Sequence, residues 1–137
     1  MNLGPHLHFR GNCREAFDFY AKLMRGKVVF CMTFGESPAA GEVPAALRDQ
    51  VIHARLDFGD RQLFGCDAPP ERYQTPQGFN LMALVKEPAE ADRLFNALSD
   101  NGSVTMPIAT TFWSPRFGMC TDRFGIPWMV NCEPAPQ

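Results

Sequence analysis

Apolar residues recur along this chain with two different periods, and the changes from one to the other divide it into helices and strands. Cys13, Ala16, Phe17, Tyr20, Leu23 and Met24 fall on one face of a helix. Asn12 precedes that run with Glu15 three residues later, the pattern of a capping box, and Gly26 offers a left-handed stop. A second helix is expected from Pro88, well suited to a first turn, through Ala91, Leu94, Phe95 and Leu98 to a stop near Asn101 and Gly102. Short strand-like runs occupy residues 5–10, 28–34, 51–58 and 61–66 around the first helix, and 79–85, 103–111, 116–121 and 126–132 around the second.

The two halves share one order. Gly59-Asp60 is a tight hairpin signal between the third and fourth strands, and Asp122-Arg123-Phe124-Gly125 holds the corresponding place in the second half. Ala16, Tyr20 and Leu23 map onto Ala91, Phe95 and Leu98 at a constant offset of 75, so a βαβββ unit is duplicated. The expected class is α+β, a single domain over 1–137 with module one at 1–67, a linker at 68–78 and module two at 79–133. Residues 35–50, rich in Gly, Pro and Ala, form a longer loop than a plain connection needs and are a candidate lid or dimer arm, or equally a mobile surface excursion.

Composition narrows the function. With 137 residues and 45% hydrophobic side chains, the chain can bury one sizeable core without a metal or disulfides. Thirteen Lys and Arg against fifteen Asp and Glu leave a formal charge of -2 and no basic stripe, so nucleic acid is not an expected partner. Cys13, Cys31, Cys66, Cys120 and Cys132 are odd in number, widely spaced and never in a CxxC pair; they read as buried free thiols in a reducing compartment. No stretch approaches the roughly 18 uninterrupted apolar residues of a membrane span, and the N-terminal MNLGPHLHF lacks the pattern of a secretion signal, so a cytoplasmic location with no membrane partner is expected.

Three blocks carry a resemblance: PHLHFRGNCREAFDFYAKL (5–23), VIHARLDFGDRQLFGCDAP (51–69) and TFWSPRFGMCTDRFGIPWMVN (111–131). Together with the repeat, they resemble the PhnB-like branch of the vicinal oxygen chelate (glyoxalase and bleomycin-resistance) superfamily. The resemblance implies a curved mixed sheet of eight strands whose concave face makes a cup, helices on the convex face, and commonly a homodimer. Enzymatic members often hold a divalent metal in the cup, where the ion stabilises charge developing on a substrate oxygen.

Metal-binding relatives place ligands near the start of the first strand, on the fourth, near the start of the fifth and on the eighth. Here His6 and His8 alternate with Leu7 and Phe9 on the first, so both imidazoles face the cup if Leu7 and Phe9 pack under the helix. The fourth, RQLFGC, gives no carboxylate before Asp67; the fifth opens with Phe79-Asn80; the eighth reads IPWMVN before Glu133. The expectation is no metal and no cofactor. The alternative is a divalent ion such as zinc, iron, nickel or manganese, held by His6 or His8 with His53 and Asp67 or Glu133 in a lyase, isomerase or dioxygenase.

The leading expectation is a homodimer that binds a small molecule in an aromatic-lined cup. His8, His53, Arg55, Phe79, Trp113, Arg116 and Trp128 are its candidate pocket residues, rings supplying apolar area and Arg a handle for an anion, with core packing the alternative for Trp113 and Trp128. A structural or interaction domain with a filled cup is the third reading. No catalytic residue is assigned: the cysteines lack an activating motif, the serines lack a nucleophile elbow, and no Gly-rich phosphate turn follows a strand. Some PhnB-like proteins carry a demethylubiquinone methyltransferase label, yet nothing in this sequence supports a methyl-donor site.

Overall fold

Cys13–Met24 forms helix α1 on the amphipathic run, burying Cys13, Ala16, Phe17, Tyr20 and Leu23. The computed structural model describes residues 1–136. It divides the chain into two units, Met1–Gln74 and a second from Thr75, and this division lies within residues 68–78.

The first unit contains β1 (His6–Phe9), α1, β2 (Lys27–Thr33), β3 (Val51–Phe58) and β4 (Arg61–Asp67). The sheet order is β1-β4-β3-β2, with β1 parallel to β4 and the other pairs antiparallel. Alternation sends Leu7, Phe9, Ala54, Leu56 and Leu63 into the core under α1. Gly65 lies there too, because a Cβ at that position would stand 2.8 Å from the Phe17 ring. Gly59, with φ of 57°, turns the two-residue hairpin between Phe58 and Arg61.

Residues 75–136 repeat the order: β5 (Leu81–Val85), α2 (Pro88–Ser99), β6 (Ser103–Ala109), β7 (Phe117–Thr121) and β8 (Pro127–Cys132). The sheet runs β5-β8-β7-β6, again with its first pair parallel. Helix α2 buries Ala91, Leu94, Phe95 and Leu98. The eight strands therefore form two four-stranded mixed sheets, one per module.

Both ends of α1 differ from the capping expected of them. Asn12 makes no side-chain cap, and its Oδ1 is buried without a partner. Asp67, from the end of β4, takes over: its Oδ1 accepts from the N–H groups of Gly11 at 3.0 Å and Cys13 at 2.9 Å. A carboxylate there satisfies orphan donors and complements the helix dipole better than a neutral amide does. At the other end Arg25, not Gly26, takes the left-handed conformation, with φ of 55°. Gly26 is required by close approach instead, since a Cβ would lie 2.7 Å from the Asp57 carbonyl oxygen. The loop at 35–50 contains two short 3-10 turns, Ala40–Glu42 and Ala45–Leu47. Its base is clamped by Phe34 N–H donating to Gln50 O and Gly35 N–H to Arg48 O.

Candidate functional site

The face of the first sheet turned away from α1 gathers the chain's three histidines. Parallel pairing sets His6 opposite Phe64 and His8 opposite Cys66, and the antiparallel ladders set Phe64 opposite Arg55 and Arg55 opposite Phe30. One row, His6-Phe64-Arg55-Phe30, thus crosses all four strands. His53, opposite Met32, lies beside it. Its ring stacks on Phe64 at 6.2 Å and on His6 at 6.1 Å, while Phe30 tilts against it at 5.7 Å. The His6 and His8 rings are 4.8 Å apart.

Charge on this face is largely matched. Arg55 donates to both carboxylate oxygens of Asp57, at 2.7 and 3.3 Å, and its guanidinium lies 5.9 Å from the centre of the Phe64 ring. Partial desolvation on the sheet face, with added repulsion from His8 and His53, lowers the His6 pKa from its ordinary value and favours the neutral imidazole. Burial and the nearby Asp67 push the Cys66 thiol up, so it remains protonated there. The Cys66 Sγ and His8 Nδ1 are 3.5 Å apart.

Asp67, an acid named above as a possible ligand beside these histidines, takes a structural role. It lies on the α1 side of β4, only 2% exposed, and its Oδ2 accepts from the Val51 N–H at 2.8 Å while Oδ1 serves Gly11 and Cys13. Three backbone donors engage both carboxylate oxygens on the face away from the imidazoles. An oxygen-seeking divalent ion, such as the resemblance in the sequence implies, would need carboxylates beside the imidazoles. In the first unit Asp67 and Asp57 are both engaged elsewhere, so the residues there do not fit such an ion. Among the described residues, the His, Cys, Asp and Glu side chains that do converge are His6, His8 and Cys66, with ligand atoms all within 4.8 Å of one another.

The candidates in the second unit separate onto two faces of its sheet. Trp128 is a core residue: it is 3% exposed on the α2 side, and its Nε1 donates to Asp122 Oδ2 at 2.8 Å. Arg116 lies on the same side and donates through Nε to Asp92 Oδ1 at 2.9 Å, so its charge is committed to α2 rather than held for an anion. Trp113 packs edge-on against Phe117 at 5.2 Å on the opposite face, and Phe79, just before β5, is half exposed. That face also carries a feature that local periodicity does not single out: Met82, Met129, Met119 and Met106 stand in register across β5, β8, β7 and β6. Cys31 and Cys66 are half-buried rather than buried. Cys66 escapes notice as a site residue in the sequence because its place beside His8 depends on the long-range pairing of β1 with β4.

Two βαβββ modules, each with a helix on one face of a four-stranded mixed sheet, define the glyoxalase and bleomycin-resistance class. The fold recurs in a glyoxylase/bleomycin resistance protein/dioxygenase domain from Frankia, with a TM-score of 0.63 at 12% identity, covering 98% of this chain and 92% of that one. The family follows from the sequence: residues 1–131 match the model described as 3-demethylubiquinone-9 3-methyltransferase, and the chain belongs to that family. It is 32% identical to Protein YjdN of Escherichia coli K12, over 96% of this chain and 95% of that protein. The crystal structure of protein PA1353 from Pseudomonas aeruginosa is 46% identical, with a TM-score of 0.89 over 97% of this chain and 98% of that one. No helix is long and apolar enough to cross a membrane among the described residues.

Proposed function

We propose that this protein is a homodimeric small-molecule-binding member of its family, which seats a small planar ligand against the open face of the first sheet. The observation that carries this reading is the ring row in which His53 stacks on both Phe64 and His6. Flat, partly exposed rings supply apolar area at little cost in side-chain entropy, and the imidazole nitrogens supply donors and acceptors at the ligand's edge. Arg55, held in place by Asp57 above the Phe64 ring, adds a fixed cationic edge that favours a ligand with a carbonyl or carboxylate oxygen. Phe79 and Trp113, both half exposed, give the second module a recognition surface of its own in this reading.

The test is a screen of small aromatic and unsaturated oxo compounds by protein NMR. Binders are expected to shift the ring resonances of His6, His53 and Phe64, and to lose at least tenfold in affinity in His53→Ala and Phe64→Ala variants that keep the parent's thermal stability. Binders whose shifts avoid this face, or whose affinity survives both substitutions, would overturn the assignment.

A further inference from the structure

We propose that His6, His8 and Cys66 form a three-ligand site for a thiophilic cation, zinc or cuprous copper, in place of an oxygen-seeking ion such as manganese or magnesium. All three ligands come from two neighbouring strands of one module. The site goes beyond the organic ligand proposed above, and its test contains no such molecule.

The geometry begins with the ladder. β1 and β4 run parallel, so His8 and Cys66 are direct partners, and His6 lies two residues before His8 on the same face. Their ligand atoms all lie within 4.8 Å of one another, and His8 Nδ1 to Cys66 Sγ is 3.5 Å. A tetrahedral ion with metal–nitrogen bonds of about 2.1 Å and metal–sulfur bonds of about 2.3 Å holds its ligand atoms roughly 3.3–3.7 Å apart. One pair already meets that spacing, and the other ligand atoms lie within 4.8 Å, so side-chain adjustment on the order of 1 Å would bring them to it. The strands themselves are fixed: Leu7 and Phe9 on β1 and Leu63 on β4 are buried on the reverse face, and Gly65 sits against Phe17 with no room to spare. His6 and His8 are exposed and Cys66 is half-buried, which leaves the ligand atoms within reach of an ion from solvent.

The donor set decides which ion. A thiolate with two imidazoles favours borderline and soft cations, whereas manganese, magnesium and calcium prefer carboxylate and carbonyl oxygens. Asp57, the acid that shares this face with Arg55, is paired with it, and Asp67 lies on the reverse face, held by three backbone N–H groups. Three protein ligands leave a fourth position of a tetrahedron open to water or another small donor, the arrangement seen in reactive rather than structural zinc sites. The His53 ring stacks on that of His6 at 6.1 Å.

Cobalt(II) is the probe, because its thiolate complexes show an intense near-ultraviolet charge-transfer band and its tetrahedral complexes strong visible bands. The untagged protein is expected to take up one cobalt per chain with both signals, to release it to zinc, and to keep it in the presence of excess manganese. Cys66→Ser should abolish the charge-transfer band and weaken binding at least tenfold; Cys31→Ser should change neither. A second measurement needs no substitution: zinc is expected to slow alkylation of Cys66 at least tenfold while leaving Cys31 unaffected. Absence of the charge-transfer band, equal competition by manganese, or equal alkylation of Cys66 with and without zinc would each overturn the proposal.

Discussion

Two buried aspartates, one per module, show how single side chains organise this fold. Asp67 joins the end of β4 to the start of α1 and the start of β3 through three N–H donors, and Asp122 holds the β7–β8 turn through the N–H groups of Phe124 and Ile126 and the Trp128 indole. Hydrogen bonds to a charged acceptor contribute about 1.5–3 kcal/mol each, and removing the acceptor strands buried donors. Asp67→Ala is therefore expected to destabilise the protein by about 3–5 kcal/mol in urea unfolding, at the upper end of single-substitution effects. Asp67→Asn keeps one acceptor oxygen and should lose about half of that. A loss below about 1 kcal/mol for the alanine variant would mean that water replaces the carboxylate. The assignment of Asp67 to structure rather than to ligation rests on this: a ligand aspartate is costly to its ion and cheap to the fold, and Asp67 is expected to behave in the opposite way.

At the scale of elements, the duplication is sharpest at the C-terminal ends of the two helices. Arg25 and Asn101 both turn left-handed, with φ of 55° and 58°, and each precedes a glycine pressed against the backbone of a neighbouring strand. A Cβ on Gly26 would come 2.7 Å from Asp57 O, and one on Gly102 would come 2.2 Å from Thr121 O and 3.1 Å from the Asp122 backbone. Backbone cannot rotate away as a side-chain tip does, so Gly102→Ala is expected to cost about 1–3 kcal/mol or more. Gly41→Ala, where nothing lies within 4 Å, should stay within about 0.5 kcal/mol. Equal stability of the two variants in thermal unfolding would refute this account of the repeat.

The same elements show what the sequence could and could not disclose. Both helices and their buried stripes were legible because an apolar face recurs at helical spacing, and His6 and His8 were legible as a pair because alternation with Leu7 and Phe9 is local. Whether Trp128 lines a pocket or fills the core was not legible because its strand is apolar on both sides: Trp128 and Val130 face α2, while Met129 belongs to the methionine row. Cys66 and the helix cap at Asp67 share one physical reason for escaping notice. Each depends on β4 lying parallel to β1, a partnership between residues nearly sixty positions apart that no local period encodes.

For the whole molecule, the surface bears on assembly more than the core does. Large apolar side chains stay exposed in both modules, among them Phe30, Phe79, Leu84 and Phe112, the last 97% exposed. A ring held almost wholly in water contributes little to the folded monomer, whereas exposed aromatics set beside a second ring are the usual anchors of an interface. Phe112 meets Trp113 edge-on at 4.7 Å, a rigid pair on a loop whose base is tied by Thr111 N–H donating to Ser114 O at 2.9 Å. Sedimentation at micromolar concentration is accordingly expected to give about twice the 15.3 kDa chain mass. Phe112→Ser should raise the dimer dissociation constant at least tenfold while leaving the unfolding of the monomer unchanged, because so exposed a ring supports no core. A single-chain mass at every concentration would remove the homodimer from the proposed function, and a dimer indifferent to Phe112→Ser would move its interface away from this loop.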